Sequence, residues 1–308
     1  MHFLVTGANG LVGSRLVRLL AIQGHQVTAM GRGVRRFQRV SGPAGPTEEP
    51  GYLDVDLGDT AALTRAVFEA RPEVIVNPAG MTDVDGCERD PDAAWVANVE
   101  GVATLCRAAK KLKAHLVHVS TDYVFDGEAG PYDVDAVPNP RGTYALTKHA
   151  GEQAVKALAA PGAWAIARTA VVYGWPNSGK NNFGSWLVET LRAGKQVKLF
   201  DDQWVSASLA LNVAEMLAEL AAKKLAGVWH VAGAEVVDRV TFGRRLCERF
   251  GFDARLIAPS RMAEVKLLSP RPAKSGLVVT RTAQALDAKP LGLAASLERF
   301  HNEFKETP

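Results

Sequence analysis

The chain has 308 residues, 47% hydrophobic and 22% charged, which is ample for a large buried core and excludes disordered, collagen-like and simple coiled-coil architectures. A net charge of +3, evenly spread, gives no ground for nucleic-acid binding, and the three scattered cysteines, Cys87, Cys106 and Cys247, form neither a disulfide framework nor a zinc-ligand pair. There is no signal-peptide pattern and no uncharged apolar run that spans a bilayer, so a soluble protein of the reduced cytoplasm, with neither membrane nor nucleic-acid partner, is expected.

In chain order, His2–Thr6 reads as an apolar strand that ends at glycines. Leu11–Gln23 carries Leu11, Val12, Leu16, Leu19 and Leu20 at helical spacing. Gln26–Met30 and Leu53–Asp56 follow as strands, separated by the basic stretch Arg32–Arg39 and the Pro/Gly loop Ser41–Gly51. Thr60–Glu69 reads as a helix with Asp59 as its N-cap. Val74–Asn77, Leu116–Ser120 and Ala163–Thr169 are further strands, alternating with helices Asp92–Leu112 and Thr143–Leu158. Strands rich in Val, Ile and Leu that alternate with helices imply an α/β fold: a doubly wound, Rossmann-like parallel sheet covered on both faces. After Gly174 the rhythm loosens; Phe183–Arg192, Leu211–Lys224 and Phe242–Phe250 look helical and Val228–Ala232 looks like a strand. We expect a dinucleotide-binding domain over 1–170, with 209–232 returning to it, and a smaller C-terminal substrate-binding domain over 171–208 and 233–308.

The first strand ends in Thr6-Gly7-Ala8-Asn9-Gly10-Leu11-Val12-Gly13, a G-x-x-G-x-x-G turn that opens a helix. Glycines let such a turn adopt positive φ and bring backbone N–H groups against a pyrophosphate at the positive helix end. The end of the second strand meets the adenine ribose, where an NAD site places an acid. This chain has Arg32 there, backed by Arg35 and Arg36, and a guanidinium suits a 2′-phosphate, so NADPH is expected over NADH. Asp56, next to Leu57, either accepts from the adenine amino group or caps a helix; Ala79 and Gly80 are small enough to lie against the nicotinamide side.

Tyr144 and Lys148 stand at i and i+4 on a helix and share one face. A nearby ammonium lowers a phenol pKa, which would make Tyr144 a proton donor to a carbonyl oxygen, while Lys148 could also hold the nicotinamide ribose. The strand ending in Ser120-Thr121 offers a hydroxyl to the same carbonyl.

TGANGLVG, NPAG, Ser120-Thr121 and YALTK together resemble the extended short-chain dehydrogenase/reductase superfamily. Within it the chain resembles the dTDP-4-dehydrorhamnose reductase family, through Met81-Thr82-Asp83-Val84-Asp85 with Glu88, STDYVFDG at Ser120–Gly127, and Asn139-Pro140. Gly151-Glu152, Arg168-Thr169, Val172-Tyr173-Gly174, Asn182-Phe183, Asp202-Gln203 and Arg271-Pro272 with Ser275 and Leu277 extend the likeness over nearly the whole chain. The resemblance implies a Thr121/Tyr144/Lys148 triad and reduction of a 4-keto group on a nucleotide-linked 6-deoxysugar. It assigns Gly7, Asn9, Gly10, Leu11, Val12, Gly13, Arg32, Asp56, Leu57, Ala79, Gly80, Tyr144 and Lys148 to NADPH. Thr82, Asn182, Trp204 and Arg271 fall on the substrate side, and Asn98 matches a helix asparagine that supports the active site.

Two positions depart from the family. Some members bridge subunits through glutamates around a divalent metal; one of those positions is Arg15 here, and a cation cannot ligate Mg²⁺, so no metal is expected. The loop Asp202–Ser208 lacks the usual proline and carries Trp204, a flat surface for a ring ligand or a core residue. A diphosphate would need cations, for which Lys180, Lys195, Lys198, Lys274 and above all Arg271 are candidates. The expected partner is a small-molecule substrate, with a homodimer left open. Two alternatives stand beside this reading: reduction of another ketone of secondary metabolism, and a non-catalytic NADP-binding role similar to the regulatory beta subunit of methionine adenosyltransferase.

Overall fold

Seven strands of alternating apolar residues pair side by side in one sheet, seen here in a computed structural model that describes residues 1–37, 41–42, 45–46, 50–176 and 181–306. In chain order they are His2–Val5, Gln26–Gly31, Gly51–Asp54, Val74–Asn77, His115–Thr121, Trp164–Thr169 and Gly227–His230. Across the sheet they lie in the order third, second, first, fourth, fifth, sixth, seventh, and every pairing is parallel. This is the doubly wound arrangement expected from the β-α alternation, with its switch point between the first and fourth strands.

Side chains alternate between the two faces because the strand period is two. Phe3, Val5, Val76, Val117 and Ala167 pack on one face with Leu16 and Leu20 of helix Leu11–Ile22 and Val213 and Leu217 of helix Ala210–Ala222. Leu4, Ile75, Leu116 and Ile166 pack on the other with Leu63, Leu105 and Val155 of helices Thr60–Ala70, Gly101–Leu112 and Thr143–Leu158. A separate cluster around Tyr173, Leu187, Phe242, Leu246 and Phe300 joins helices Phe183–Arg192, Arg239–Phe250 and Leu293–Glu306 with the parallel strand pair Val197–Phe200 and Ile257–Ser260. Among the described residues no helix is long and apolar enough to cross a membrane.

Two local readings change. The helix expected over Asp92–Leu112 is interrupted by a π-helical turn at Val96–Glu100, which carries the fully buried Asn98. The third strand ends at Asp54, so Asp56 lies beyond it, accepting from the Gly58 N–H at 2.8 Å in a turn.

Among the described residues one ion pair lies wholly inside. Arg168, from the sixth strand, donates from Nε and Nη2 to Oε1 and Oε2 of Glu152 at 2.9 and 2.7 Å. A fork-to-fork pair satisfies both charges only while both partners remain. Arg168→Met therefore strands the Glu152 carboxylate and should cost about 3–5 kcal/mol, read from the denaturant midpoint. A loss below about 1 kcal/mol would contradict a buried, fully paired bridge.

Candidate active site

The C-terminal strand ends bring the glycine turn and the helix Thr143–Leu158 to one edge of the sheet. Gly7 has φ +57°, and a Cβ on it would stand 3.0 Å from the Ala79 Cα. At Gly13 a Cβ would meet the Gly7 carbonyl oxygen at 2.2 Å, so the helix packs directly onto the turn. Helix Leu11–Ile22 starts there with no side-chain cap on its first-turn N–H groups. That leaves a positive helix end over a cradle which side chains would fill, and Gly7, Gly10, Leu11, Val12, Gly13, Ala79 and Gly80 fit the pyrophosphate and nicotinamide portions of a dinucleotide.

Asn9 works inward. Its Nδ2 donates to the carbonyls of Arg32 and Val34 at 3.1 Å each and to the Tyr52 hydroxyl at 2.8 Å, and its Oδ1 accepts from the Arg36 N–H at 2.8 Å. The side chain therefore shapes the arginine loop. The Arg32 side chain is 81% exposed and reaches Asp56 only at 3.5 Å, so its guanidinium is open to an added anion. Leu57 is buried beneath.

Thr121 at the end of the fifth strand, and Tyr144 and Lys148 at i and i+4 of the helix Thr143–Leu158, are all three buried. The Lys148 ammonium donates to the Val119 carbonyl at 2.7 Å and stands 3.5 Å from His118 Nε2. Burial pulls Lys148 down to about 8, with Glu152 opposing. The Tyr144 ring meets Tyr123 edge-on at 5.6 Å. The expectation of a lowered phenol pKa does not hold: burial raises Tyr144 above its ordinary value, against a smaller opposing effect of the Thr121 hydroxyl. Desolvation dominates, and the neighbouring Asp122, Tyr123 and Cys87 add to it. Thr121 Oγ1 donates to Asp122 Oδ1 at 3.1 Å, and burial pushes that carboxyl up to about 6.

The helix Thr143–Leu158 has no side-chain cap of its own at Gly142. Glu88 serves instead from the short helix Val84–Arg89: its Oε1 accepts from Thr143 N–H at 2.6 Å and from Ser269 Oγ at 2.8 Å, and its Oε2 accepts from Thr143 Oγ1 at 2.8 Å. One turn earlier, Asp85 Oδ1 pairs with Arg271 Nη2 at 2.9 Å and accepts from Ser269 N–H at 3.2 Å. Asn98 ties Met81 to Thr147 on the same helix. These polar groups brace Tyr144 from outside and were named in the sequence only through resemblance.

The substrate-side candidates scatter. Asn182 caps helix Phe183–Arg192 through a capping box, and its Nδ2 donates to the Gly174 carbonyl at 2.8 Å, so its side chain is committed to structure. Thr82 and Lys195 are exposed, and Lys180 lies outside the described residues. Trp204 is 42% exposed and lines a separate hollow with Lys274. Arg271 lines a cleft of about 260 Å³ with Tyr123, Phe183, Trp186, Lys198 and Arg239. Arg239 was not anticipated; it follows Asp238, whose carboxylate caps the helix Arg239–Phe250 by accepting from the Thr241 N–H at 2.9 Å. Arg15 pairs with Glu303 at 2.5 Å and donates to the Leu11 and Trp175 carbonyls. Among the described residues no three His, Cys, Asp or Glu side chains group as metal ligands.

Comparison with known proteins places this geometry. A probable low-salt glycan biosynthesis reductase of Haloferax volcanii is 35% identical, over 99% of both chains. A dTDP-4-dehydrorhamnose reductase of Mycobacterium tuberculosis is 35% identical, over 90% of this chain and 84% of its own. The crystal structure of dTDP-4-dehydrorhamnose reductase from Bacillus anthracis in complex with NADP superposes with a TM-score of 0.85 at 25% identity, covering 98% of this chain and 99% of that one. The family model described as RmlD substrate binding domain matches residues 1–306, and the chain belongs to that family of extended short-chain dehydrogenase/reductases.

Proposed function

We propose that the chain reduces a keto group with NADPH, the substrate being the 4-keto group of a nucleotide-linked 6-deoxysugar. The observation that carries this is the buried Thr121, Tyr144 and Lys148 set at the same sheet edge as an uncapped glycine turn. Bound NADPH supplies hydride to the carbonyl carbon, so that ketone, NADPH and one proton become alcohol and NADP⁺. Tyr144 donates the proton to the carbonyl oxygen, and its raised pKa keeps that proton on the phenol at neutral pH. Thr121 holds the same oxygen by its hydroxyl. The Lys148 ammonium stabilises the phenolate left behind and binds ribose hydroxyls. Arg32 meets a 2′-phosphate, with Asp56 beside it. Residues 171–208 and 233–308 supply the substrate side, where cations and aromatic rings share the cleft.

Tyr144→Phe keeps the ring and removes the proton, so turnover should fall about 10²–10⁴-fold with NADPH affinity unchanged. Near-wild-type turnover in this variant would remove Tyr144 from the chemistry. Arg32→Ala should weaken NADPH by about 1.5–3 kcal/mol and leave NADH almost unaffected, measured by fluorescence titration of both cofactors. Equal losses for the two would refute a 2′-phosphate contact. Lys148 is charged below about 8 and loses its proton above it, so kcat should decline as pH rises through that value. A rate flat to pH 10 would contradict a required ammonium.

A further inference from the structure

Arg32, Arg35 and Arg36 place three guanidinium groups within five residues, and like charges so close repel one another. Between them Gly33 is exposed at φ +70°, and Val34 is 78% exposed. A segment with so little side-chain packing samples many conformations unless its backbone is held by other means.

It is held from two sides. The third strand, Gly51–Asp54, lies parallel to the second, with Ala29 opposite Tyr52 and Gly31 opposite Asp54. From this strand Asp54 Oδ1 accepts from the Gly33 N–H at 2.7 Å and the Tyr52 hydroxyl donates to the Gly33 carbonyl at 2.7 Å, so both backbone polar groups of this glycine are engaged. From the glycine turn, Asn9 donates to the Arg32 and Val34 carbonyls and accepts from the Arg36 N–H. Tyr52 joins the two sides, because its hydroxyl also accepts from Asn9 Nδ2 at 2.8 Å. A phenol hydroxyl donates once and can accept, and here both capacities serve the loop. The ring below it packs edge-on against the buried Phe37, with centroids 6.0 Å apart.

The main chain of the loop is thus set, while the Arg32 side chain stays 81% exposed. A site ordered before its ligand arrives loses less freedom on binding, and only a ligand that touches that site gains from it. NADH and NADPH share a pyrophosphate and differ at the ribose 2′ position. We infer that Tyr52 is a positioning residue that sets the preference for the 2′-phosphorylated cofactor: its hydroxyl clamps Gly33 between the third strand and Asn9 and so fixes where Arg32 leaves the backbone. The inference rests on the reading of Arg32 as the 2′-phosphate contact, and adds that the contact depends on a hydroxyl acting through the loop.

The test is fluorescence titration of NADPH and of NADH into the full-length wild type, Tyr52→Phe, Arg32→Ala and the double variant, with NADH affinity serving also as the folding control. Tyr52→Phe keeps the ring against Phe37 and removes two hydrogen bonds, so NADPH should bind about three- to tenfold more weakly while NADH changes less than about twofold. In the Arg32→Ala background the same change should alter NADPH affinity less than about twofold, since a residue that acts through Arg32 then has nothing to position. A loss of NADPH affinity below about twofold in Tyr52→Phe, an equal loss for NADH, or the full loss repeated on top of Arg32→Ala would overturn the inference. Wild type that binds NADPH and NADH equally removes the 2′-phosphate contact and the inference together. Selectivity that is lost in Arg32→Ala and intact in Tyr52→Phe removes the inference alone.

Discussion

A lysine ammonium enclosed by the fold, met by a main-chain carbonyl and not by a carboxylate, is the constraint on which the site depends. Lys148 is 4% exposed, and the nearest acid on its own helix, Glu152, is bound at both oxygens by Arg168. Without Arg168 the Glu152 carboxylate would turn to the other basic groups around it, among them Lys156, His149 and Lys148. The internal ion pair therefore does more than fill the core. With Glu152 so engaged, Lys148 keeps a charge whose pKa burial pulls down and Glu152 only partly restores.

Around that charge the chain builds a rigid frame from distant segments. Asn98, on the π-helical turn, fixes Met81 against Thr147 of the helix that carries Tyr144 and Lys148. Glu88 caps the start of the same helix and also grips Ser269. Pre-organised donors and acceptors of this kind matter because misplacement of a reacting group by about 1 Å can cost about a hundredfold in rate. The loop Ser269–Arg271 is thus linked to the helix Thr143–Leu158 through two acids of one short helix, Asp85 and Glu88.

The sequence made the sheet legible because each strand is a short Val/Ile/Leu run between helices, and a parallel sheet buried on both faces leaves no other pattern. Tyr144 and Lys148 were legible by spacing, since i and i+4 share a helix face, and Thr121 as a hydroxyl at a strand end. The pKa of Tyr144 was not: an ammonium at i+4 is visible in sequence, but the burial that raises the phenol depends on packing with Tyr123 and Cys87. Asn182 and Asn9 look like ligand-binding polar residues in a linear text, yet their hydrogen bonds are spent on a helix cap and on the arginine loop. Arg239 went unread because its place in the cleft beside Tyr123 is a fact of three dimensions. The helix Leu293–Glu306 also went unread, although Leu293, Leu297 and Phe300 repeat at helical spacing, because it lies beyond the segments that carried the resemblance.

The central claim is that this buried tyrosine–lysine site transfers hydrogen from NADPH to the keto carbon of a nucleotide-linked sugar. It is tested most directly by incubating the wild-type protein with a dTDP-4-keto-6-deoxysugar and NADPH deuterated at the transferable position, then analysing the sugar by mass spectrometry and NMR. The account predicts a dTDP-linked 4-hydroxy sugar carrying one deuterium at C4. Recovery of unreduced keto sugar, or of a reduced sugar without deuterium at C4, would contradict it.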